Sequence, residues 1–434
     1  MASSTGEGAG IDEGAAPGRF SVGRVRWGIC ALLFFATTIN YIDRQMISVL
    51  KPTLQAEYGW NESTYANIVF AFQAAYAMGY FAFGHLIDRL GARFGYSLAA
   101  AIWGLAAMAH AGARGAVDFM IVRFALGLGE SGNFPAGVKA VSEWFPARER
   151  ALAIGIFNAG ANIGAILTPL IAPILVMAFG WRVAFLFTGG IVFIWLRFWW
   201  TLYRRPREKK SLSASELAWI ESDPPDSPGK VPWLSLLRHR QTWAYAVGKF
   251  MIDPIWWFFL FWLPDFFARE HGLNLMTFGP PLVAIYIISD LGSVGGGWLS
   301  SALMKRGWSA NGARKLAMLV CALCVPPVML APGIASLWGA VLLIGLATAA
   351  HQGFSANLYT LPSDLFPRKA VGAIIGIGGT IGAIGGMFMA KFTGWVLDAT
   401  GSYMPMFVVA GSTYLLALLI IHLLVPRMEP AKVE

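Results

Sequence analysis

Residues 123–137 read RFALGLGESGNFPAG, which places Arg123 and Glu130 inside an apolar segment that runs from about residue 117 to residue 138. Seven positions make close to two helical turns, so both charged groups lie on one face, and Gly127 between them leaves room for another helix. Charges are costly in hydrocarbon and tend to mark a solute or proton path. The stretch therefore predicts an ionic functional site in a membrane helix. The alternative is an ion pair that only orients two helices.

The composition extends this prediction to the whole chain. Of its 434 residues, 56% are hydrophobic and 13% are charged. The mean hydropathy is +0.58, and the apolar residues form runs of about 20, the length that crosses a bilayer as a helix. We expect an all-α membrane protein with 12 transmembrane helices in two six-helix bundles. The predicted spans lie at about residues 27–48, 64–87, 94–112, 117–138, 151–176, 181–202, 241–268, 279–304, 313–332, 336–362, 371–397 and 402–425.

One long polar loop divides the chain into halves. Residues 203–240 contain the runs RRPREKK and SDPPDSPGK, and we expect them to form a cytoplasmic loop. This loop would join an N-terminal six-helix bundle, residues 24–202, to a C-terminal six-helix bundle, residues 241–434. Residues 1–23 are rich in Gly, Ala, Ser and acidic side chains, which predicts a disordered cytoplasmic tail.

The two halves are also similar in sequence. A shift of 221 positions places Phe366-Pro367 on Phe145-Pro146 and Gly385 on Gly164. Coincidences at a single offset, placed identically in the two halves, favour an internal duplication.

The charge distribution predicts the orientation of the chain. The net charge is +9, and 24 of the 33 Lys and Arg residues fall on one side of the predicted spans, whereas Lys51, Arg114 and Arg269 fall on the other. This asymmetry is the positive-inside pattern of membrane proteins rather than a nucleic-acid-binding surface. We expect a multi-pass protein of the inner (plasma) membrane with both termini cytoplasmic and no nucleic-acid partner. We further expect a monomer.

The sequence argues against several kinds of chemistry. Cys30, Cys321 and Cys324 fall within predicted spans, which argues against disulfides and a zinc site and favours a packing role. There is no metal-ligand cluster, nucleophile elbow or phosphate-binding loop. We therefore expect no metal, no cofactor, no enzymatic activity and no ATP-driven transport.

Between the second and third predicted spans the chain reads GHLIDRLGAR. Here it resembles the major facilitator superfamily, whose signature is matched by Asp88, Arg89, Gly91 and Arg93 but not by Phe94 at the last basic position. The resemblance implies the major facilitator fold. The physical interpretation is a cytoplasmic conformational latch, in which Asp88 caps a neighbouring helix and pairs with a basic residue in the outward-facing state. The alternative is a tight turn with ordinary cytoplasmic charges.

Further stretches narrow the resemblance. NYIDR at residues 40–44 and the segment 123–135 resemble the anion:cation symporter family within that superfamily. GKFMIDPIWW at residues 248–257 and HQGFSAN at residues 351–357 are similar to the hexuronate transporters. The resemblance extends from about residue 26 to residue 426. It implies proton-coupled import of a sugar acid, such as glucuronate or galacturonate, by alternating access.

The resemblance also implies roles for individual residues. Arg44 is the expected carboxylate clamp, because an arginine fork donates two parallel hydrogen bonds, and Asp43 and Glu130 are the expected proton-carrying acids. Asp43 and Arg44 are adjacent, so their side chains point about 100° apart on a helix, and one of them would face a neighbouring helix. The alternative is that both lie at the outer interface and anchor the helix.

Polar side chains at helical spacing extend the predicted binding site. Tyr76 belongs to a stripe on the second span, and Asn158 and Asn162 share a face of the fifth. Such groups suit the hydroxyls of a sugar acid, although polar side chains also join membrane helices. The predicted substrate-binding residues are Arg44, Tyr41, Tyr76, Arg123, Asn158, Asn162, Trp256, Ser355 and Tyr359.

The second half offers fewer charges. Lys249 and Asp253 are spaced to pair within one helix. Trp256 can stack on a sugar, but it and Trp257 are also typical of an interfacial aromatic belt. Lys391 is the single charged residue of the eleventh predicted span. It offers a second anion contact there or extends to the interface.

The sequence favours a proton-coupled hexuronate symporter whose partners are a small carboxylate sugar, protons and the lipid bilayer. Two alternatives stay open within transport, namely an aldonate or aldarate symporter and an organic-anion exchanger with no proton coupling. A sugar-acid sensor that moves nothing is a third. A sensor needs a soluble output domain, and residues 203–240 are too few for an ordinary one.

Overall fold

The computed structural model describes residues 24–222 and 232–431, and within these ranges the chain is helical with no β-strand. The predicted disordered tail, residues 1–23, lies outside the described residues. The helices are α1 (Val25–Tyr58), α2 (Glu62–Ala109), α3 (Ala116–Glu130), α4 (Asn133–Trp144), α5 (Ala147–Phe179), α6 (Trp181–Leu202), α7 (Ala214–Ile220), α8 (Trp233–Leu236), α9 (Arg240–His271), α10 (Gly279–Lys305), α11 (Ala310–Cys324), α12 (Leu337–Leu358), α13 (Leu361–Leu365), α14 (Arg368–Thr400) and α15 (Met404–Leu424).

Eleven segments of the described chain are long and apolar enough to cross a membrane by length and composition. Two of them, Glu62–Ile87 and Arg89–Gly112, follow one another along α2. Gly91, near the start of the second segment, interrupts the helical backbone with a φ of 77°, in the left-handed region where glycine avoids the strain of a Cβ atom. The predicted all-α membrane fold is thereby confirmed.

The remaining predicted span, residues 117–138, is divided into α3 and α4 by a turn at Ser131 and Gly132. Pro135 explains the interruption, because it has no amide hydrogen for the carbonyl of Ser131 four positions earlier, and its ring clashes with that carbonyl. Each piece is shorter than an uninterrupted membrane span. As a consequence, Glu130 is the last residue of α3 instead of a residue in the middle of a longer helix.

The two halves repeat local geometry at the positions that the duplication predicts. Pro146 precedes α5 with φ −64° and ψ 153°, and Pro367 precedes α14 with φ −63° and ψ 149°. Gly164 of α5 and Gly385 of α14 both lie against the first long helix of their own half. A Cβ atom would come within 2.5 Å of a carbonyl oxygen of α1 at Gly164 and within 2.6 Å of one of α9 at Gly385.

The two bundles meet along α2 and α14, along α1 and α9, and along α5 and α10. The α2–α14 contact is closest near the end of α14. A Cβ atom would lie 2.4 Å from the nearest α2 atom at Gly394, 3.0 Å at Gly386 and 3.5 Å at Gly379, and it would meet nothing within 4 Å at Gly372. The bundles therefore contact each other at the Gly394 end of α14 and separate toward its Gly372 end.

Candidate functional site

The centre of the candidate site is a buried ion pair between two helices of the first bundle, α1 and α3. Nε of Arg44 in α1 donates to Oε2 of Glu130 in α3 over 2.8 Å, and the two side chains are 4% and 0% exposed. Nη2 of Arg44 also donates to Oδ1 of Asn40, at 3.1 Å. Oε1 of Glu130 is buried and has no hydrogen-bond partner among the described residues. One carboxylate oxygen of the pair thus remains free.

Four aromatic rings surround the guanidinium of Arg44. Its Cζ lies 4.5 Å from the ring centre of Tyr41, 4.9 Å from Tyr76 and 5.5 Å from Phe72. The fourth ring, 5.3 Å away, is Trp257 of α9 in the second bundle. We call these four side chains the aromatic cage. Because Trp257 belongs to the second bundle, the cage places Arg44 at the junction of the two bundles. The ring faces attract the cationic guanidinium.

Asp43 points away from this cage, as the angle between adjacent helical residues predicts. It is buried, and its Oδ2 accepts a hydrogen bond from Nε1 of Trp103 at 3.0 Å. Within the described chain no basic side chain lies within salt-bridge distance of Asp43. Asp43 and Arg44 lie near the middle of α1, so the alternative that both anchor the helix at the outer interface is wrong.

Arg123 is fully buried beside the pair but does not form part of it. Its Nη1 and Nη2 donate to the backbone carbonyl of Arg44, at 3.2 Å and 3.3 Å, and its Cζ lies 4.5 Å from the ring of Phe72. Gly127 provides the predicted close helix approach, because a Cβ atom there would lie 2.2 Å from the carbonyl oxygen of Phe72. Arg123 thus supports the backbone that carries Arg44.

The second bundle contributes a charged cluster of its own. Nζ of Lys249 lies 2.7 Å from Oδ1 of Asp253, as predicted, and donates to the hydroxyl of Tyr359 at 2.8 Å. The Lys249 side chain is 3% exposed and that of Asp253 is 16% exposed. Asp253 lies one helical turn before Trp257 of the aromatic cage.

Trp256 and its neighbours lie inside the second bundle. The ring of Trp256 stacks on His351, with centres 5.2 Å apart and planes at 10°, and Nδ1 of His351 lies 2.6 Å from the hydroxyl of Tyr414. Ser355 is buried one turn further along α12. The aromatic-belt interpretation of Trp256 and Trp257 is wrong, because both lie near the middle of α9.

The two predicted asparagines of α5 differ in their surroundings. Asn158 is exposed, whereas Asn162 is half-buried and hydrogen-bonds Asp290 of α10 across the bundle junction. Lys391 likewise reaches across the junction and hydrogen-bonds Asn67 of α2. These contacts support the interpretation of polar residues as links between membrane helices.

A second ionic network joins the bundles at the Gly394 end. Nζ of Lys51 is completely buried and lies 2.6 Å from Oε2 of Glu62 and 2.9 Å from Oδ2 of Asp265. Arg269 pairs with the same two acids. Asp398 accepts hydrogen bonds from the backbone amide of Glu62 at 3.0 Å and from that of the next residue at 2.9 Å. Because its members come from both halves, this end network ties the bundles together.

The motif residues between the second and third spans lie at the opposite end of the first bundle. Nη2 of Arg93 donates to the carbonyl of Trp200 at 2.7 Å, and its Cζ lies 4.6 Å from that ring. Arg89 is exposed, and Gly91 forms the break in α2 described above. The side chain of Asp88 lies outside the described part of the structure, so its latch role stays a prediction.

Sequence reasoning missed three residues of the site. Phe72 and Trp257 carry no signal that separates them from other membrane aromatics, and nothing in the pattern says which of Trp256 and Trp257 faces the first bundle. Asp290 is different, because an acidic residue within a predicted span is itself a signal of function. Among the described residues, no group of His, Cys, Asp or Glu is placed to hold a metal ion.

Two helical bundles with an ionic site at their junction have the architecture of a secondary transporter of the membrane. A profile of the Major Facilitator Superfamily matches residues 33–390. The chain belongs to that superfamily.

Several relatives are named as sugar-acid transporters. The hexuronate transporter of Escherichia coli K12 is 32% identical over 410 residues, which cover 92% of this chain and 93% of the relative. The galacturonate transporter of Dickeya chrysanthemi is 33% identical over 66% of this chain and 84% of its own length. The D-galactonate transporter of E. coli O6:H1 is 27% identical over 87% and 91%. The relatives are thus transporters and not enzymes.

Solved structures support the fold. A bacterial homologue of the human lysosomal transporter Spinster, solved in an inward-facing and unoccupied conformation, superimposes with a TM-score of 0.68 and 17% identity. The match covers 93% of this chain and 96% of that one. At this identity the likeness concerns the fold alone.

Proposed function

We propose that this protein imports a monocarboxylate sugar acid, with hexuronates such as glucuronate and galacturonate as the preferred substrates, together with protons. One observation carries the proposal, namely the buried Arg44–Glu130 pair inside an aromatic cage built by both bundles. The relatives named above support the substrate class.

The coupling follows from competition for one guanidinium. Removing one partner of a buried ion pair costs about 3–5 kcal/mol, because the other charge is left uncompensated. A substrate carboxylate that binds Arg44 replaces Glu130 as its partner, since the arginine fork accepts either carboxylate. Glu130, buried and without its cation, then takes a proton. Anion and proton therefore bind together, and both leave when Arg44 returns to Glu130.

Asp43 is the second proton carrier in this proposal. It lies next to Arg44 in the chain but faces Trp103, away from the substrate path. It is buried, and no basic side chain of the described chain lies within salt-bridge distance of it. Its protonation would follow movement of α1 relative to α2, which carries Trp103.

The remaining predicted residues complete the proposed substrate site. Tyr41 and Tyr76 contact the bound carboxylate end through the aromatic cage, and Arg123 holds the backbone of Arg44 in place. The hydroxyls of the sugar meet polar groups from both bundles. We assign Asn158, Asn162, Trp256, Ser355 and Tyr359 to this part of the site.

Alternating access supplies the movement. We propose that residues 24–202 and 241–434 rock as units, linked by the loop 203–240, with both termini cytoplasmic as the positive-inside pattern favours. Where the bundles separate, toward Gly372 of α14, they leave a crevice between them. In this orientation the Gly372 end of the crevice opens to the cytoplasm, and the end network closes the outer side. Asp88, with Arg89, Gly91 and Arg93, would latch the opposite, outward-facing state.

Uptake by purified protein in proteoliposomes tests the proposal. Labelled glucuronate or galacturonate should accumulate against its gradient when the outside is more acidic than the lumen. A protonophore added to the same vesicles should abolish that accumulation, while protein-free vesicles give the background. Equal steady-state accumulation with and without the protonophore would contradict symport and favour an uncoupled exchanger.

A further inference from the structure

The charged cluster of the second bundle has chemistry that the proposed coupling does not use. Nζ of Lys249 lies within hydrogen-bonding distance of both Asp253 and Tyr359. The lysine and the aspartate balance each other's charge. An ammonium has three N–H donors, and the two contacts described occupy two of them. The cluster therefore keeps a donor in reserve.

Asp253 keeps an acceptor in reserve as well. Its Oδ1 contacts Lys249, whereas Oδ2 points at Gly382 of α14, where a Cβ atom would come within 2.3 Å of it. Glycine at this position thus allows Oδ2 to approach α14, because the Cβ atom of any larger residue would overlap the oxygen. The Asp253 side chain is 16% exposed, against 3% for Lys249, so it is the more exposed member of the pair.

The position of the cluster relates it to the aromatic cage. Asp253 and Trp257 are one turn apart on α9, about 5.4 Å along the axis. On α14, Gly382 and Gly386 are also one turn apart, and they face Asp253 and Trp257 respectively. The cluster therefore lies one helical turn away from the aromatic cage, toward the Gly372 end of the crevice. A six-carbon acid that binds Arg44 through its carboxylate and directs its hydroxyls toward the Gly372 end would meet the cluster.

We propose that Lys249, Asp253 and Tyr359 form a hydroxyl clamp that determines specificity, admitting singly charged sugar acids and rejecting dicarboxylates. The inference rests on the proposed function. A hydroxyl both accepts from Lys249 and donates to Oδ2 of Asp253. A second carboxylate only accepts hydrogen bonds, and it meets the negative charge of Asp253 without a spare cation. Uronates and aldonates therefore fit the clamp, and aldarates do not.

A matched pair of open-chain acids tests the clamp. Galactonate and galactarate differ only at one end of the chain, which is a hydroxymethyl group in the first and a carboxylate in the second. Both compete against labelled galacturonate in counterflow without a pH gradient, so the result does not depend on proton coupling. In the wild-type protein galactarate should need about tenfold or higher concentrations than galactonate. Equal potency, or no competition by galactonate, would overturn the clamp.

Asp253→Asn removes the repelling charge and leaves Lys249 as a spare cation. The galactarate-to-galactonate ratio of inhibitory concentrations should fall by about tenfold. Asp364→Asn is the control, because that acid pairs with Arg314 of α11 instead of with the cluster, and its ratio should stay at the wild-type value. An unchanged ratio in Asp253→Asn would overturn the clamp while leaving the proposed function intact. If the wild-type protein exchanges no sugar acid, the proposed function itself fails. The wild-type comparison stands even if the Asp253 variant does not fold.

Discussion

At the scale of the residue, the shape of Arg44 matters as much as its charge. A guanidinium forms two parallel hydrogen bonds with a carboxylate, whereas an ammonium is a point charge that cannot bind it bidentately. In the resting pair, Arg44 uses Nε for Glu130 and Nη2 for Asn40. A substrate carboxylate would have to take over the contact with Nε to release Glu130. In the proposed mechanism the pair therefore acts as a switch between two carboxylates.

Two substitutions separate binding from coupling. Glu130→Gln retains the shape of a protonated glutamate, so the variant should still exchange internal for external galacturonate but should fail at pH-driven accumulation. Arg44→Lys loses the planar fork, so it should weaken both activities, by about tenfold or more for a bond worth 1.5–3 kcal/mol. Counterflow and pH-driven uptake are measured on both variants in matched vesicles. A Glu130→Gln protein that accumulates substrate normally would leave Asp43 as the coupling acid.

The sequence identified Arg44, Arg123 and Glu130 as candidate site residues, but not which of them pair. Arg123 and Glu130 lie on one helical face, which suggested that they form a unit, yet Glu130 pairs with Arg44, 86 positions away. Helical spacing reports neighbours within one helix only. The Lys249–Asp253 pair was predictable because it is local. Contacts across the bundles, such as Trp257 with Arg44, depend on helix rotation, which no periodicity in this chain fixes.

At the scale of the element, local sequence rules explain both the membrane helices and the interruption of the predicted span at residues 117–138. Apolar length predicted the membrane helices, and Pro135 interrupts the span that carries Glu130 by the ordinary chemistry of proline. The interruption places Glu130 at a helix end, beside the turn at Ser131 and Gly132. Gly127, one turn earlier, allows α3 to approach α2 closely enough for Phe72 to contact Arg44 and Arg123.

This approach makes a prediction about stability. Gly127→Ala would place a Cβ atom 2.2 Å from the carbonyl oxygen of Phe72, so α2 and α3 must move apart, at a cost of about 1–3 kcal/mol. The melting temperature of the purified protein in detergent should fall. Gly190→Ala in α6 is the control, since no atom lies within 4 Å of its added Cβ, and its melting temperature should be unchanged or higher. Equal melting of the two variants would mean that the close approach is not required.

At the scale of the whole molecule, the two ionic systems have different tasks. The end network joins Lys51 and Glu62 of the first bundle to Asp265, Arg269 and Asp398 of the second, so the bundles cannot part at that end unless these contacts break. The Arg44 site lies between the bundles but pairs within the first. In the proposed import cycle, a substrate from outside therefore reaches the Arg44–Glu130 pair only after the contacts of the end network break.

Lys51 and Arg269 also explain an exception to the charge pattern. They are two of the three basic residues that sequence analysis placed on the outer side. Both are matched by acids in the end network, Glu62 and Asp265, so neither is a free outer charge. The charges of these two residues are therefore balanced within the end network.

The central claim is that a sugar acid and a proton move together because both depend on the Arg44–Glu130 pair. The most direct test measures proton movement that is driven by a galacturonate gradient, in place of galacturonate uptake that is driven by a pH gradient. Galacturonate is added outside proteoliposomes with equal pH on both sides, and a trapped pH-sensitive dye reports the lumen. The wild-type protein should acidify the lumen as galacturonate enters, and Glu130→Gln should not, even though it exchanges galacturonate. Entry of galacturonate through the wild-type protein without acidification of the lumen would contradict the account.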